Sequence, residues 1–140
     1  MCLLDEVIEW SADHIRCRSA THRRVDNALR AHGRLGVACG IEYAAQAMAV
    51  HGALRAAAGA QSSHAMAVSP PGMLTSVRAL AMHVDRLDDV AGDLYASAAY
   101  MNGDSSMVLY EFSVGDSSRT LLEGRATIAF AHRTPASAIS

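Results

Sequence analysis

The sequence predicts an α+β fold, with one long helix packed against a single curled antiparallel sheet. Three observations predict it. The chain opens with two short extended segments joined by a turn, continues into one alanine-rich helical stretch, and closes with a run of extended segments punctuated by turn signals. No repeat and no second domain interrupts that order, so residues 1–133 read as one domain and residues 134–140 as a flexible, small-residue tail.

Each element has its own signal. Leu3 to Trp10 reads as a strand, Ser11-Ala12-Asp13 as a turn, and His14 to Ala20 as a second strand with strict alternation, which together make a hairpin. Thr21 to Leu35 is a polar loop holding His22, Asn27 and His32. The helix is predicted from about Cys39 to Ala57, closed by Gly59, with Tyr43, Ala47, Val50 and Leu54 forming an apolar stripe. Its alanine-rich composition predicts burial nearly all round. Ala60 to Met73, with Pro70-Pro71-Gly72, reads as a connector, and Leu74–Leu87, Gly92–Met101 and Ser105–Ala131 as extended segments. The last is broken at Gly115-Asp116-Ser117-Ser118, which makes about four C-terminal strands, and Asn102-Gly103-Asp104 is the predicted tight hairpin turn.

Composition narrows the function classes. About half of the 140 residues are apolar, enough for a real core, and no run approaches the roughly 18 apolar residues of a membrane span. The start Met1-Cys2-Leu3-Leu4-Asp5-Glu6 lacks the order of a secretion signal, so a cytoplasmic protein is expected. Cys2, Cys17 and Cys39 are too far apart for a metal or redox pair, and neither a metal, a cofactor nor a disulfide is expected. A formal net charge of −2 argues against generic nucleic-acid binding. Every basic residue is arginine, and Arg16, Arg18, Arg23, Arg24, Arg30 and Arg34 crowd the N-terminal stretch, where they form either a docking surface for an acidic or phosphorylated partner or a plain solvated face.

The helix carries the chemistry. Glu42 and Gln46 share one face, four residues apart, in an otherwise apolar stretch. A carboxyl group in a desolvated setting resists ionisation and can act as a proton donor near neutral pH, although an acidic residue near a helix start also suits the helix dipole.

These residues resemble a known family. Leu3-Leu4-Asp5-Glu6-Val7, Glu42-Tyr43-Ala44-Ala45-Gln46 and Val90-Ala91-Gly92-Asp93-Leu94 are similar, in order and spacing, to motifs of the hotdog-fold 3-hydroxyacyl-acyl-carrier-protein dehydratases. Thr21-His22-Arg23, Asn27 to Arg30 and Cys39 to Gly52 resemble the aryl-polyene and pigment-pathway branch more closely. The standard Gly-His-Phe-Pro loop and the Pro-Gly turn into the helix are absent from this chain.

The resemblance implies elimination of water from a 3-hydroxyacyl thioester, with Glu42 as general acid and a histidine as general base. Two histidines compete for that place: His22, by the closer branch, and His32, by ungapped counting from Asp5. Gln46, Asn27 and Gly40 are the implied substrate-binding residues, and Arg23, Arg24, Arg30 and Arg34 the docking surface for an acyl carrier protein with its phosphopantetheine arm. The resemblance also implies a homodimer, or a heterodimer with another hotdog subunit, whose histidine and acid come from different chains. The alternatives are a hotdog acyl thioesterase and a non-catalytic partner subunit.

Overall fold

A computed structural model describes residues 2–60 and 72–130 of the chain. The elements run β1 (Glu6–Ser11), β2 (His14–Ser19), a 3-10 turn (Thr21–Arg23), a second 3-10 turn (Val37–Cys39), α1 (Gly40–Ala60), β3 (Gly72–Met82), β4 (Leu94–Gly103), β5 (Met107–Gly115) and β6 (Thr120–Phe130). All six strands form one antiparallel sheet in the order β1-β2-β4-β5-β6-β3, curled around α1 but unclosed. This is the hotdog arrangement expected from the sequence. The expected connector over 61–71 and the tail from 134 lie outside the described residues.

Side-chain period decides which face meets the helix. In β2, Ile15, Cys17 and Ser19 point inward and alternate with half-buried His14, Arg16 and Arg18, and in β5 Val108, Tyr110, Phe112 and Val114 do the same. The helix answers with Gly40, Tyr43, Ala44, Ala47, Met48 and His51, a 3-4 spacing that places all six on the sheet side. Burying a large apolar side chain such as Met48 stabilises the fold by roughly 1.5–3 kcal/mol. Gly40 allows closeness: a Cβ there would sit 2.7 Å from Leu122 Cδ2, so a larger residue would force either the Leu122 side chain or the helix start to move.

Several boundaries differ from the sequence reading. Helix α1 runs through Gly59 instead of stopping at it, because glycine ends a helix only where the chain takes up left-handed dihedrals. Leu3 and Leu4 lie outside β1: the Leu3 N–H donates to Gln46 Oε1 at 2.7 Å and the Leu3 carbonyl accepts from the Ser19 and Thr21 hydroxyls, so side chains replace a strand partner. Asn102-Gly103 belongs to β4, and the reversal is made one step later by Asp104, whose Oδ1 accepts from Ser106 N, Ser106 Oγ and Met107 N. Asp116 makes the β5–β6 turn in the same way, accepting from Ser118 N, Ser118 Oγ and Arg119 N.

The helix is also not buried all round. Glu42, Ala49 and Ala53 are exposed along one stripe, because a curled sheet covers only one side of its helix. The other side is open in the single chain.

Candidate active site

His22 sits where β2 gives way to the first 3-10 turn, and the turn is braced from three directions. Ala20 N–H donates to Asp5 Oδ2 at 2.6 Å, and the Arg30 guanidinium donates to the Arg24 carbonyl at 2.8 Å and to the His22 carbonyl at 3.4 Å. Behind it runs a directional chain: Asn27 Nδ2 donates to Tyr43 Oη (3.1 Å), Tyr43 Oη to Thr21 Oγ1 (2.9 Å), and Thr21 Oγ1 to the Leu3 carbonyl (2.8 Å). Asn27 also donates to Thr21 O and accepts from Leu29 N–H. Its side chain is thereby spent on holding the turn. Asn27 was expected to meet substrate, and these bonds leave it no free donor to offer one.

The imidazole is fully buried. Its Nε2 lies 2.9 Å from the Val90 carbonyl, which can only accept, so Nε2 carries the proton and Nδ1 carries the lone pair. Nδ1 is buried and has no hydrogen-bond partner. Burial pushes the pKa down from the ordinary 6.5, only partly offset by the Val90 carbonyl, so the ring is neutral at neutral pH with one basic nitrogen unspent. Val90 is itself held by its N–H to Leu87 O, at the Val-x-Gly-Asp stretch noted in the sequence.

A second fully buried histidine among the described residues is a contrast. His51 accepts the Tyr110 hydroxyl at Nδ1 (2.7 Å) and donates from Nε2 to Ser11 O (2.8 Å). Both nitrogens are occupied, so it ties α1 to β5 and to the end of β1 and has none left for chemistry. His32 lies at the exposed tip of a tight turn closed by Ala31 and Arg34, with φ +53° followed by Gly33 at +75°. It faces water.

Glu42 lies in the first turn of α1 and is exposed. This corrects the expectation of a desolvated acid: within one chain nothing covers the group, and among the described residues no hydrogen bond joins it to His22. From Glu42 the same helix face continues through Ala45, Ala49, Gly52 and Ala53 into an apolar groove of about 250 Å³, whose opposite wall includes Leu74, Ile128 and Phe130. Gln46 turns to the N-terminal segment through its bond to Leu3. The Gly40 N–H is directed at the carbonyls of Val37 and Ala38, and the residue serves close packing.

The arginines are less free than their clustering suggests. Arg23 donates to Ala91 O and pairs with Asp93 at 3.2 Å, and Arg24 grips Asp26 with two bonds. Arg30 has only 16% of its side chain exposed and reaches toward Asp88 at 3.8 Å, which makes it a brace inside the loop. Asp88, held by Arg86, Arg30 and the Leu35 N–H, is kept far below the usual carboxylate range, chiefly by Arg86. Arg24 and Arg34 remain exposed.

Sequence reasoning missed Tyr43 as the hub of the turn and Tyr110 as the partner of His51. A phenol at an inward helix or strand position was the available signal, since a buried hydroxyl needs a partner.

A family profile described as ApeP dehydratase matches residues 1–138. The chain belongs to the ApeP-like dehydratase family. Among solved structures, the family member is similar to the dehydratase heterocomplex ApeI:P from Xenorhabdus doucetiae, at 22% identity and a TM-score of 0.74 over 94% of this chain and 84% of that one. It is also similar to the thioesterase HI1161 from Haemophilus influenzae, at 12% identity and a TM-score of 0.63 over 94% and 80% of the two chains. AziG of S. sahachiroi matches at 12% identity and a TM-score of 0.62 over 91% of each chain. These likenesses establish the hotdog fold. No curated protein sequence is a significant match. Among the described residues, no helix is long and apolar enough to cross a membrane.

Proposed function

We propose that this ApeP-family chain is a subunit of a 3-hydroxyacyl-carrier-protein dehydratase that works in the cytoplasm, in a fatty-acid or polyene-type pathway. The observation that carries the reading is the buried, unpartnered Nδ1 of His22, fixed in tautomer by the Val90 carbonyl. In this reading Nδ1 takes the C2 proton, the positive end of α1 polarises the thioester carbonyl as the enolate forms, and Glu42 protonates the C3 hydroxyl as it leaves. His22 becomes imidazolium, Glu42 becomes carboxylate, water departs, and a trans-2-enoyl thioester remains.

A second hotdog subunit completes the site by covering the open helix stripe that holds Glu42, which desolvates the acid and brings it against a histidine. The matched heterocomplex supports a partner of this kind. The acyl tail lies in the groove beyond Ala45, and the exposed Arg24 and Arg34, with part of Arg23, receive the acidic surface of the carrier protein.

The test is intact-mass analysis of 3-hydroxyacyl carrier protein incubated with the purified chain, alone and with a partner hotdog subunit. Loss of one water is expected. Release of free acid with unloaded carrier protein would make the chain a thioesterase instead.

The groove gives a second expected result. Gly52 has nothing within 4 Å of where a Cβ would stand, so its missing side chain keeps that end open. In Gly52→Leu, kcat/KM should fall roughly fourfold for each methylene excluded, equivalent to ~0.8 kcal/mol apiece, while the shortest 3-hydroxyacyl substrates are unaffected. Rates across an acyl-length series measure this.

A further inference from the structure

The face of the sheet turned away from α1 carries a depression that the dehydratase reading leaves unused. Strand register places Arg16 of β2, Ser97 of β4 and Ser113 of β5 side by side, and all three point outward because Ile15, Cys17, Ala96, Ala98, Phe112 and Val114 point into the core. Neighbouring strands stand about 4.8 Å apart, so the three polar tips form a short row. The β5–β6 turn adds Arg119 and Thr120 beside them, and together they bound a space of about 350 Å³.

Arg16 is held in place without being satisfied. Its guanidinium lies 4.5 Å from the centre of the Tyr95 ring, and its Nε is buried with no hydrogen-bond partner. Such a donor is costly to leave unmade, and among the described residues no carboxylate pairs with this arginine. The acid on the rim, Asp116, is already committed: Oδ1 accepts three donors of its own turn, and Oδ2 lies 3.7 Å from Arg119 Nε. The lining therefore holds two guanidinium groups, that of Arg119 shared with Asp116, and the hydroxyl-bearing Ser97, Ser113 and Thr120. That is a donor set for a tetrahedral oxyanion, and guanidinium forks match phosphate oxygens in particular.

We propose that this depression binds a phosphate group, with Arg16 and Arg119 as its charge partners. It lies at the same end of the sheet as His22. Ser97 is three residues along β4 from Leu94, which pairs with Ser19 just before the His22 turn, a separation of roughly 10 Å at strand rise. The phosphate source is either the inorganic ion or the phosphoester of a pantetheine arm.

The experiment is calorimetric titration of the full chain at fixed ionic strength, with inorganic phosphate in one arm and 4′-phosphopantetheine in the other. Saturable binding is expected, weakened roughly tenfold or more in Arg16→Gln and in Arg119→Gln, the weight of one charge-assisted hydrogen bond. Because Arg119 is exposed, its variant tests the site even if Arg16→Gln disturbs packing around Tyr95. Tighter binding of phosphopantetheine than of phosphate supports the site with the arm as its source, and equal binding supports it with the free ion. Absence of saturable binding in both arms overturns it, and so does binding that both variants leave unchanged.

Discussion

His22→Gln is expected to slow dehydration by ~10²- to 10⁴-fold, the usual weight of a positioned general base, while the fold survives. Glutamine can still offer an N–H to the Val90 carbonyl from the same turn, so the local geometry keeps its anchor and loses only the basic nitrogen. Initial rates on a 3-hydroxyacyl thioester, with circular dichroism as the fold control, measure both. A rate within a few-fold of the parent would remove His22 from the mechanism.

The pH profile adds an independent check. Burial places the folded pKa of His22 below 6.5, so the base is unprotonated at neutral pH and the acid limb of the kcat/KM profile should lie below about 6.5, with loss of the Glu42 proton setting the alkaline limb. His51 is shifted the same way, also mainly by burial. For both, the unfolded chain takes up protons first as pH falls, so the stability they contribute is complete above about 6.5 and is lost on acidification.

Much of the fold was legible because its signals are local. Alternation in His14 to Ala20 and the apolar stripe Tyr43, Ala47, Val50 and Leu54 in an alanine-rich stretch each act over a few residues, and each placed its element correctly to within a few residues. The turns were harder. Gly-Asp-Ser-Ser occurs twice, at 103–106 and 115–118, and both copies reverse the chain through the aspartate carboxylate. Asn-Gly carries the stronger dihedral preference for a hairpin, but the Asp104 carboxylate, with three donors to bind, won the reversal one residue later.

The site was legible in a different way. Only the motif resemblance sets His22 apart from His32 in the sequence, because the partner that fixes its tautomer is the Val90 carbonyl, 68 residues further along the chain. The motif resemblance pointed to both Thr21-His22 and Val90-Ala91-Gly92-Asp93, and folding brings the two together. Glu42 shows the limit of reading one chain: its apolar neighbours suggested desolvation, yet the surface that would desolvate it belongs to another subunit in the proposed assembly. The arginine cluster has partners that its spacing does not reveal, since Asp26, Asp88 and Asp93 pair with Arg24, Arg30 and Arg23 within the chain.

Glu42→Gln is expected to be as damaging as the histidine variant, because the amide keeps the shape of the acid but has no proton to give to the leaving hydroxyl. Combining the two dead variants reveals where the partner group comes from. If His22 of one copy works with Glu42 of a second copy, a mixture of His22→Gln and Glu42→Gln chains forms mixed dimers with one site intact and one doubly impaired. Random exchange in such a two-fold dimer then restores about a quarter of the parent activity. If Glu42 instead serves a histidine on a different hotdog subunit, the mixture stays inactive, and only addition of that subunit to a chain with an intact Glu42 brings activity back. Water loss from the 3-hydroxyacyl carrier protein, followed by intact mass before and after mixing, reads both outcomes. Full activity of Glu42→Gln in the presence of a partner subunit would show that the exposed carboxylate is not the acid at all.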